Sequence, residues 1–267
     1  MAHEDFVPFT SWRFAVMTTW QRAQFLALGH VADQIFFSIE SWAERYRTWF
    51  PQTPVDHLPV GSNLPRIGVT KEEARGRIGI PSDSFVVGIF GSIGVSRLTA
   101  WMGKAVRALE QEADDLVVLY VGGEGQKIDD AGWAKAFLDA GSLPAEDASL
   151  HLSAMDLYLA PYVDGVSTRR GAFMAGIQHG LPCATTIGEH TDTILREHEG
   201  AAFLATPTTS PDLFVKAVLR LHNDKEMRTD IGIGGKELYA KEFTFETVAS
   251  RLFSCLSRHT ATSNSFA

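Results

Sequence analysis

Residues 84–97 read SFVVGIFGSIGVSR, an apolar run that leads into a glycine-containing turn and an arginine. Residues 84–90 have the length and the β-branched composition of a buried strand. The same plan of strand, turn and helix recurs along the chain. Further strands are predicted at Leu116–Val121, Leu157–Ala160 and Cys183–Thr186. Helices are predicted near Leu98–Gln111, Trp133–Leu138, Ala145–Ala154 and Ala172–His179.

Continuously apolar strands separated by helices indicate a parallel sheet that is covered by helices on both faces. We therefore predict an α/β fold with a Rossmann-like parallel sheet from about residue 70 onward. Just before the first strand, Thr70 and Glu73 have the spacing of a capping box, in which hydroxyl and carboxylate satisfy exposed backbone N–H groups. A short helix is expected to begin there.

The segments that flank the sheet have patterns of their own. Residues 1–54 are predicted to be a partial N-terminal α/β segment, with helices at Ser11–Gly29 and Ser41–Trp49 and a strand over QIFFSI (34–39). The prolines that follow mark a connector, which places a domain boundary between residues 54 and 55. The second domain then covers residues 55–258 and ends in three helices after Pro211. Asn223 or Asp224 is predicted to cap the middle helix and Thr244 the last, and residues 259–267 are expected to fray.

Composition excludes several functional classes. The 267 residues include 24 Lys plus Arg and 32 Asp plus Glu, a net charge of −8, whereas a nucleic-acid-binding protein normally shows a basic excess. Cys183 and Cys255 are the only cysteines and lie far apart, so neither a disulfide framework nor a cysteine-based zinc site is expected. The N-terminus has no signal-peptide pattern, and no apolar run is long enough to span a membrane. We expect a cytoplasmic protein with no metal.

Ligands of open parallel sheets bind where the strands end, so the loops after the predicted strands are candidate sites. The first loop contains Gly91, Ser92, Gly94 and Arg97, which together could hold an anion through backbone N–H groups and a full positive charge. A tight turn with a solvated arginine is the alternative. The loop VGGEG (121–125) could lie close to a nucleotide, or it could be an ordinary turn.

The third loop, PYVDGVSTRRG (161–171), is more specific because it places two adjacent arginines near a helix start. Cations there oppose the helix dipole, and an anion such as a diphosphate would make the arrangement favourable. The alternative is that Arg169 and Arg170 pair with Asp164. A fourth loop, TTIGEHTD (185–192), offers hydroxyls and carboxylates to a polyhydroxylated ligand, or it could simply cap a helix.

In this order, the segments resemble the donor-binding, C-terminal half of a GT-B fold glycosyltransferase of the family 4 type. The motifs that carry the resemblance are LPVGSN (58–63), FGSIGVSR (90–97), VGGEG (121–125), MDLYLAPYVDGVSTRRG (155–171), HGLPCATTIGEHTD (179–192) and EFTFETVASRL (242–252). Residues 1–54 look like the end of that family's first, acceptor-side domain. Its opening strands have no counterpart in this sequence.

The resemblance also implies roles for individual residues. Arg97 matches a lysine that contacts the donor diphosphate in the family, while Ser92 stands where the family usually has an arginine. Ala175 replaces a glutamate that typically holds the donor ribose, so ribose binding must differ here. The residues expected at the diphosphate are Gly91, Ser92, Gly94, Arg97, Gly165, Ser167, Arg169 and Arg170. Those expected at the nucleotide or sugar are Gly123, Glu124, Asp164 and Glu189, and His3 is a candidate catalytic residue.

The expected function is transfer of a sugar, with retention, from a nucleotide-diphosphate sugar to an unidentified acceptor, without a metal or other cofactor. Two alternatives stay open. The chain could bind a nucleotide sugar without transferring it, with an acceptor-domain partner or a homo-oligomer completing the enzyme. It could also be a GT-B fold nucleotide-sugar epimerase, which would change the sugar nucleotide without consuming an acceptor.

Overall fold

A computed structural model describes residues 12–129 and 132–263. The chain divides into two compact units, one made of the residues up to Val60 and those from Phe245, the other of Gly61–Thr244. The division therefore falls later than the boundary predicted after residue 54. The reason is that the strand at Val55–His57 pairs with the strand at Ile35–Phe37, which keeps this stretch with the N-terminal segment.

The elements before the sheet are α1 Trp12–Val31, β1 Ile35–Phe37, α2 Glu40–Arg47, β2 Val55–His57 and α3 Lys71–Ile78. The Gly61–Thr244 unit is built on a six-stranded, fully parallel sheet, whose strands are β3 Phe85–Phe90, β4 Leu116–Val121, β5 Phe137–Asp139, β6 Leu157–Ala160, β7 Cys183–Ile187 and β8 Leu204–Pro207. Their order across the sheet is β5-β4-β3-β6-β7-β8. The α/β prediction is confirmed.

Helices cover both faces of this sheet. They are α4 Thr99–Leu109, α5 Gly125–Asp129, α6 Ala145–Ser153, α7 Gly171–Gln178, α8 Thr193–Glu197, α9 Pro211–Asn223 and α10 Lys225–Glu242. Alternate residues of β4 enter different cores: Leu119 packs in the core that contains Phe173, and Val118 packs in the core that contains Phe214. Since successive side chains of a strand point to opposite faces, this division shows why the strands are apolar throughout.

Local signals set several helix starts as predicted. Thr70 Oγ1 accepts from the Glu73 N–H at 3.2 Å, and Glu73 Oε2 accepts from the Thr70 N–H at 2.9 Å, so the capping box is formed. Asp224 caps α10 by accepting from the Met227 N–H at 2.8 Å. Of the two cap candidates for this helix, Asp224 is therefore the one used.

The helix predicted at Trp133–Leu138 is wrong. The helix lies earlier, at α5, and Phe137 begins β5, which pairs in parallel with β4 through Val118 and Leu119. Trp133 instead packs on α4, where its ring lies against Gly103. Strand β8 was not predicted, whereas α8 follows the TTIGEHTD loop, for which a helix start was one of the two alternatives.

The N-terminal unit has a small α/β core of its own. Its two strands are parallel, with Ile35 opposite Val55, and aromatic rings fill the space beside them. The Phe37 and Tyr46 rings stack with centroids 4.8 Å apart, and Phe25 meets Tyr46 edge-on at 5.1 Å. A partial N-terminal α/β segment was expected here.

The last helix, α11 Phe245–Ser263, belongs to the N-terminal unit rather than to the predicted second domain. Residues 259–263 continue this helix, so they do not start the predicted frayed tail. None of the described helices is long and apolar enough to cross a membrane.

Candidate functional site

The loops that follow β3, β4, β6 and β7 meet at the carboxyl edge of the sheet. We define them as the first loop (residues 91–98), the second loop (122–124), the third loop (161–170) and the fourth loop (188–192). Two backbone hydrogen bonds join the first and third loops: the Leu98 N–H donates to the Pro161 carbonyl at 3.2 Å, and the Val163 N–H to the Ser96 carbonyl at 3.1 Å. The His190 N–H donates to the Asp164 carbonyl at 3.0 Å and joins the fourth loop to the third, and the Ile93 N–H donates to Glu124 Oε2 at 2.9 Å and joins the first loop to the second. The four loops therefore form one surface.

Arg97 is buried beneath the first loop, with 5% of its surface exposed. Its Nη2 donates to the Phe90 carbonyl at 2.5 Å, its Nε to the Ser92 carbonyl at 3.3 Å, and its guanidinium lies 4.6 Å from the centre of the Tyr162 ring. Neither the expected diphosphate contact nor the solvated alternative describes this position well. Arg97 Nη1 has no hydrogen-bond partner among the described residues.

The charge of Arg97 is retained in spite of its burial. Burial alone would lower the pKa of the guanidinium, but the electrostatic effects of Tyr162 and Tyr158 outweigh it and raise the pKa. Arg97 thus places a permanent positive charge under the loops, where it attracts an anion above them even without direct contact.

Glu124 connects the second loop to the first. Its Oε2 accepts from Ser92 Oγ at 2.8 Å and from the Ile93 N–H at 2.9 Å, and its Oε1 pairs with Lys127. Hydrogen bonds from Lys127, Ser92 and Ile93 lower the pKa of Glu124 to about 2. The carboxylate is therefore ionised and committed to the loops, while Gly123 beside it is exposed.

The third loop brings both predicted arginines together with Asp164. Arg170 Nη2 lies 2.5 Å from Asp164 Oδ1, and Arg169 Nη2 lies 3.2 Å from Asp164 Oδ2. The pairing that the sequence left as an alternative is thus present. Burial lowers the pKa of Arg170, and the neighbouring Asp164 carboxylate opposes this shift.

Tyr162 is the residue of this site that the sequence prediction missed. The Arg170 guanidinium lies 4.4 Å from the centre of its ring and the Arg97 guanidinium lies 4.6 Å from it, so the ring contacts both cations. Its position in the sequence could have identified it, because this aromatic residue follows Pro161 directly after the buried strand β6. Tyr162 is 3% exposed, and so it holds Arg170 in one orientation.

Gly165 is required by a close approach of the third and fourth loops. Its φ is +85°, and a Cβ at this position would lie 2.2 Å from the Gly188 nitrogen. The Gly165 N–H donates to the Tyr162 carbonyl at 3.3 Å, and the Gly91 N–H donates to the Val121 carbonyl at 2.9 Å. These two N–H groups, which were expected to face a diphosphate, donate to backbone carbonyls of the protein instead.

The start of α7 leaves space beside Gly171. Arg170 is the N-cap residue, and a Cβ on Gly171 would meet nothing within 4 Å. Ser167 is fully buried just before it, and its Oγ has no hydrogen-bond partner among the described residues. An anion at this point would meet Arg170 and the positive end of the helix together.

Three predicted site residues remain, Gly94, Glu189 and His3, together with Ala175, which replaces the expected glutamate. The Gly94 N–H donates to Ser92 Oγ at 3.2 Å, so it stabilises the first loop. Glu189 is exposed on the fourth loop. His3 lies outside the described residues. Ala175 is fully buried in α7, so no carboxylate stands at the ribose position of the family motif.

Within residues 12–129 and 132–263, no group of three or more His, Cys, Asp and Glu residues is placed to hold a metal ion. The sequence matches no protein-family model. It also matches no curated protein sequence.

The chain does match solved structures. Sucrose-phosphate synthase from Thermosynechococcus elongatus aligns with a TM-score of 0.73 and 15% identity over 95% of this chain and 64% of its own. Anabaena Alr3699/HepE aligns with a TM-score of 0.69 and 16% identity over 96% of this chain and 71% of its own. Both are GT-B glycosyltransferases. The Gly61–Thr244 unit therefore has the fold of a GT-B domain.

The six-stranded sheet accounts for much of this GT-B match. The C-terminal domain of a group 1 glycosyl transferase, LpcC, from Francisella tularensis aligns with a TM-score of 0.57 and 15% identity. The alignment covers 99% of that domain and 70% of this chain. The predicted resemblance to a donor-binding GT-B half is thus confirmed at the level of fold. The chain spans 64% of the length of the sucrose-phosphate synthase that it matches.

Proposed function

We propose that this chain is a glycosyltransferase that moves a sugar from a nucleotide-diphosphate sugar to an acceptor with retention of anomeric configuration. The observation that carries the proposal is the position of Arg169 and Arg170 at the start of α7, on the carboxyl edge of a GT-B sheet. Cations oppose the dipole at that end of a helix, so the arrangement favours an anionic ligand between them.

The chemical step requires stabilisation of a leaving diphosphate. An acceptor hydroxyl oxygen bonds to the anomeric carbon as the bond from that carbon to the diphosphate oxygen breaks. The hydroxyl proton passes to the leaving diphosphate, on which negative charge develops. Arg169 and Arg170 lie where they can exchange Asp164 for phosphate oxygens, and Arg97 adds its charge from below. Fixed cations can supply this stabilisation without a metal ion.

UDP and UDP-glucose are the first ligands to test. Anabaena Alr3699/HepE has been solved in complex with UDP and glucose and with UDP-glucose, and those ligands belong to that protein. We carry the ligand class, a nucleoside diphosphate with or without a sugar, to this chain as part of the proposal. A comparison of UDP with ADP and GDP tests which base this chain prefers.

Calorimetry on an Arg170→Ala variant tests the assignment. Loss of a charged hydrogen bond should weaken UDP binding by about 1.5–3 kcal/mol, or roughly 10- to 150-fold in Kd. Arg107→Ala is the matched control, because Arg107 is exposed in the last turn of α4, whereas the first loop leads into the first turn of that helix. Equal UDP affinity in the wild type and Arg170→Ala would contradict the proposal.

A second candidate is a nucleotide-sugar-binding subunit that needs a separate acceptor-side domain. It is favoured by α1, which exposes Trp12 (74%), Val16 (63%) and Trp20 (64%). An apolar face of this kind commonly marks a protein contact. Turnover of a nucleotide sugar by this chain alone, with transfer to an added acceptor, would exclude this candidate. Turnover only after an acceptor-side protein is added would support it.

A further inference from the structure

A large cavity lies at the opposite edge of the sheet, where β3, β6 and β7 begin. Its volume is about 750 Å³. Its walls are formed by the segments that precede these three strands, by α3 and by the N-terminal two thirds of α10. We call it the amino-edge groove. The length of the strands separates it from the four loops of the donor site.

The lining of the amino-edge groove is strongly basic. Its cations are Arg66, Lys71, Arg75, Lys225, Arg228 and Lys236, and its carboxylates are Glu72, Asp83 and Asp156. The formal charge of the lining is thus positive, in a chain whose net charge is −8. Charges of one sign that line a concave surface focus the field and attract ions of the opposite sign.

Asp156 is already neutralised. Its Oδ1 accepts from Lys71 Nζ at 2.7 Å, and its Oδ2 pairs with Arg75 and accepts from the Val86 N–H at 2.8 Å. Arg75 also donates to the Ser82 carbonyl at 2.8 Å. These groups form a closed network, so Asp156 does not balance the remaining cations of the groove.

Two carboxylates, Glu72 and Asp83, and four cations remain in the lining, and the cations are Arg66, Lys225, Arg228 and Lys236. None of them makes an ion pair with another residue in the part of the chain that the structure describes. Arg228 is held in place, since its Nη1 donates to the Leu221 carbonyl at 2.8 Å and its guanidinium lies 5.2 Å from the centre of the Phe85 ring. A fixed guanidinium loses little conformational freedom when it binds a ligand.

His179 also lines the groove, but it does not add to this charge. Its Nε2 lies 2.7 Å from Ser149 Oγ and its Nδ1 lies 2.7 Å from the Ala175 carbonyl. Burial, together with the nearby positive charge of Arg66, lowers the pKa of His179. The cations that face the groove are therefore those of arginine and lysine.

We propose that the amino-edge groove binds the phosphoryl group of a second ligand, separate from the sugar donor. A phosphoryl group carries up to two negative charges and several acceptor oxygens, which match a guanidinium flanked by lysine ammonium groups. The ligand can be a soluble phosphate ester or the headgroup of an anionic lipid. Both sources present the same phosphoryl chemistry to Arg66, Lys225, Arg228 and Lys236.

Binding of inorganic phosphate to an Arg170→Ala protein tests the proposal, because this background weakens anion binding at the donor loops. Adding Lys225→Gln and Lys236→Gln should weaken phosphate binding about tenfold or more in calorimetry. Adding Lys104→Gln and Lys216→Gln removes the same charge from exposed positions on α4 and α9 and should change Kd by about twofold or less. All four lysines are exposed, so both double variants should unfold at the same temperature as their parent.

A vesicle assay separates the two sources. The wild type and the two double variants are each sedimented with phosphatidylcholine vesicles, with and without phosphatidic acid. Binding of inorganic phosphate that depends on Lys225 and Lys236 supports a soluble ligand, and lysine-dependent binding to acidic vesicles alone supports a lipid headgroup. The proposal is overturned if the wild type binds neither probe, or if the groove and control double variants bind both probes equally.

Discussion

Replacing Asp164 by asparagine should strengthen the binding of a diphosphate at the carboxyl edge. In the structure this carboxylate occupies Arg169 and Arg170, the two cations that we assign to the diphosphate. The ligand must therefore displace Asp164 from both arginines before it can bind them. Asparagine keeps the size of the side chain and removes the competing charge.

The magnitude follows from the geometry and exposure of the two pairs. The Arg170–Asp164 contact is 2.5 Å and the Arg169–Asp164 contact is 3.2 Å, and 11–20% of the three side chains is exposed. We expect the interaction free energy of each pair to be larger than that of a fully exposed ion pair, about 0.2–1 kcal/mol, and smaller than that of a buried charged hydrogen bond, about 1.5–3 kcal/mol. A value of about 1 kcal/mol for each arginine gives about 2 kcal/mol, or roughly a 30-fold lower Kd.

Calorimetry with UDP is the assay, and Asp114→Asn is the control because it removes the same charge from an exposed turn. A UDP affinity that is unchanged or weaker in Asp164→Asn would refute the assignment of the arginines to the diphosphate. UDP-glucose gives a further comparison. If Asp164 also contacts the sugar, as the sequence predicted, UDP-glucose binding should improve less than UDP binding.

Three further outcomes concern stability. Gly165→Ala should lower the free energy of unfolding by about 2 kcal/mol or more, because φ is +85° and the methyl group would overlap Gly188. Gly171→Ala is the control and should leave the free energy of unfolding nearly unchanged. Urea denaturation measures both. Thr70→Ala should cost about 1 kcal/mol in the same assay because the capping box is lost. The folded-state pKa of Glu124 is about 2, below its ordinary 4.5, so its stabilising effect is complete above about pH 4.5 and is lost as the pH falls towards 2. Glu124→Gln should therefore reduce the pH dependence of stability in that range, measured by urea denaturation at a series of pH values.

The fold was predictable where strand pattern and local caps agree. β4 has the predicted bounds, Leu116–Val121, because a continuous apolar run in the centre of a sheet leaves a clear signal. β5 was missed because it is a three-residue edge strand, and its pairing with β4 depends on residues distant in sequence. Apolar residues such as Trp133 and Phe137 have helical spacing, yet tertiary contacts decide their conformation.

The site was predictable in its residues and less so in its contacts. The loop after β6 identified Arg169, Arg170 and Asp164, and the structure brings these three side chains together. Sequence alone does not decide whether an anion or Asp164 is the partner of the arginines. Analogy with a lysine placed Arg97 at the diphosphate, and the alternative was a solvated arginine. The structure buries its side chain against the Tyr162 ring and the Phe90 carbonyl.

The negative net charge of the chain is compatible with two anion-binding sites. At physiological ionic strength, charges more than about 8 Å apart in solvent are largely screened from one another. Most carboxylates that produce the net charge of −8 therefore have little effect on a phosphate held between arginines. The local balance decides binding instead: two arginines share one carboxylate at the third loop, and four cations without ion pairs to described residues line the amino-edge groove. A rise in ionic strength should consequently weaken phosphate binding at the exposed groove more than UDP binding at the partly buried Arg170, because solvent-exposed charges are screened most strongly.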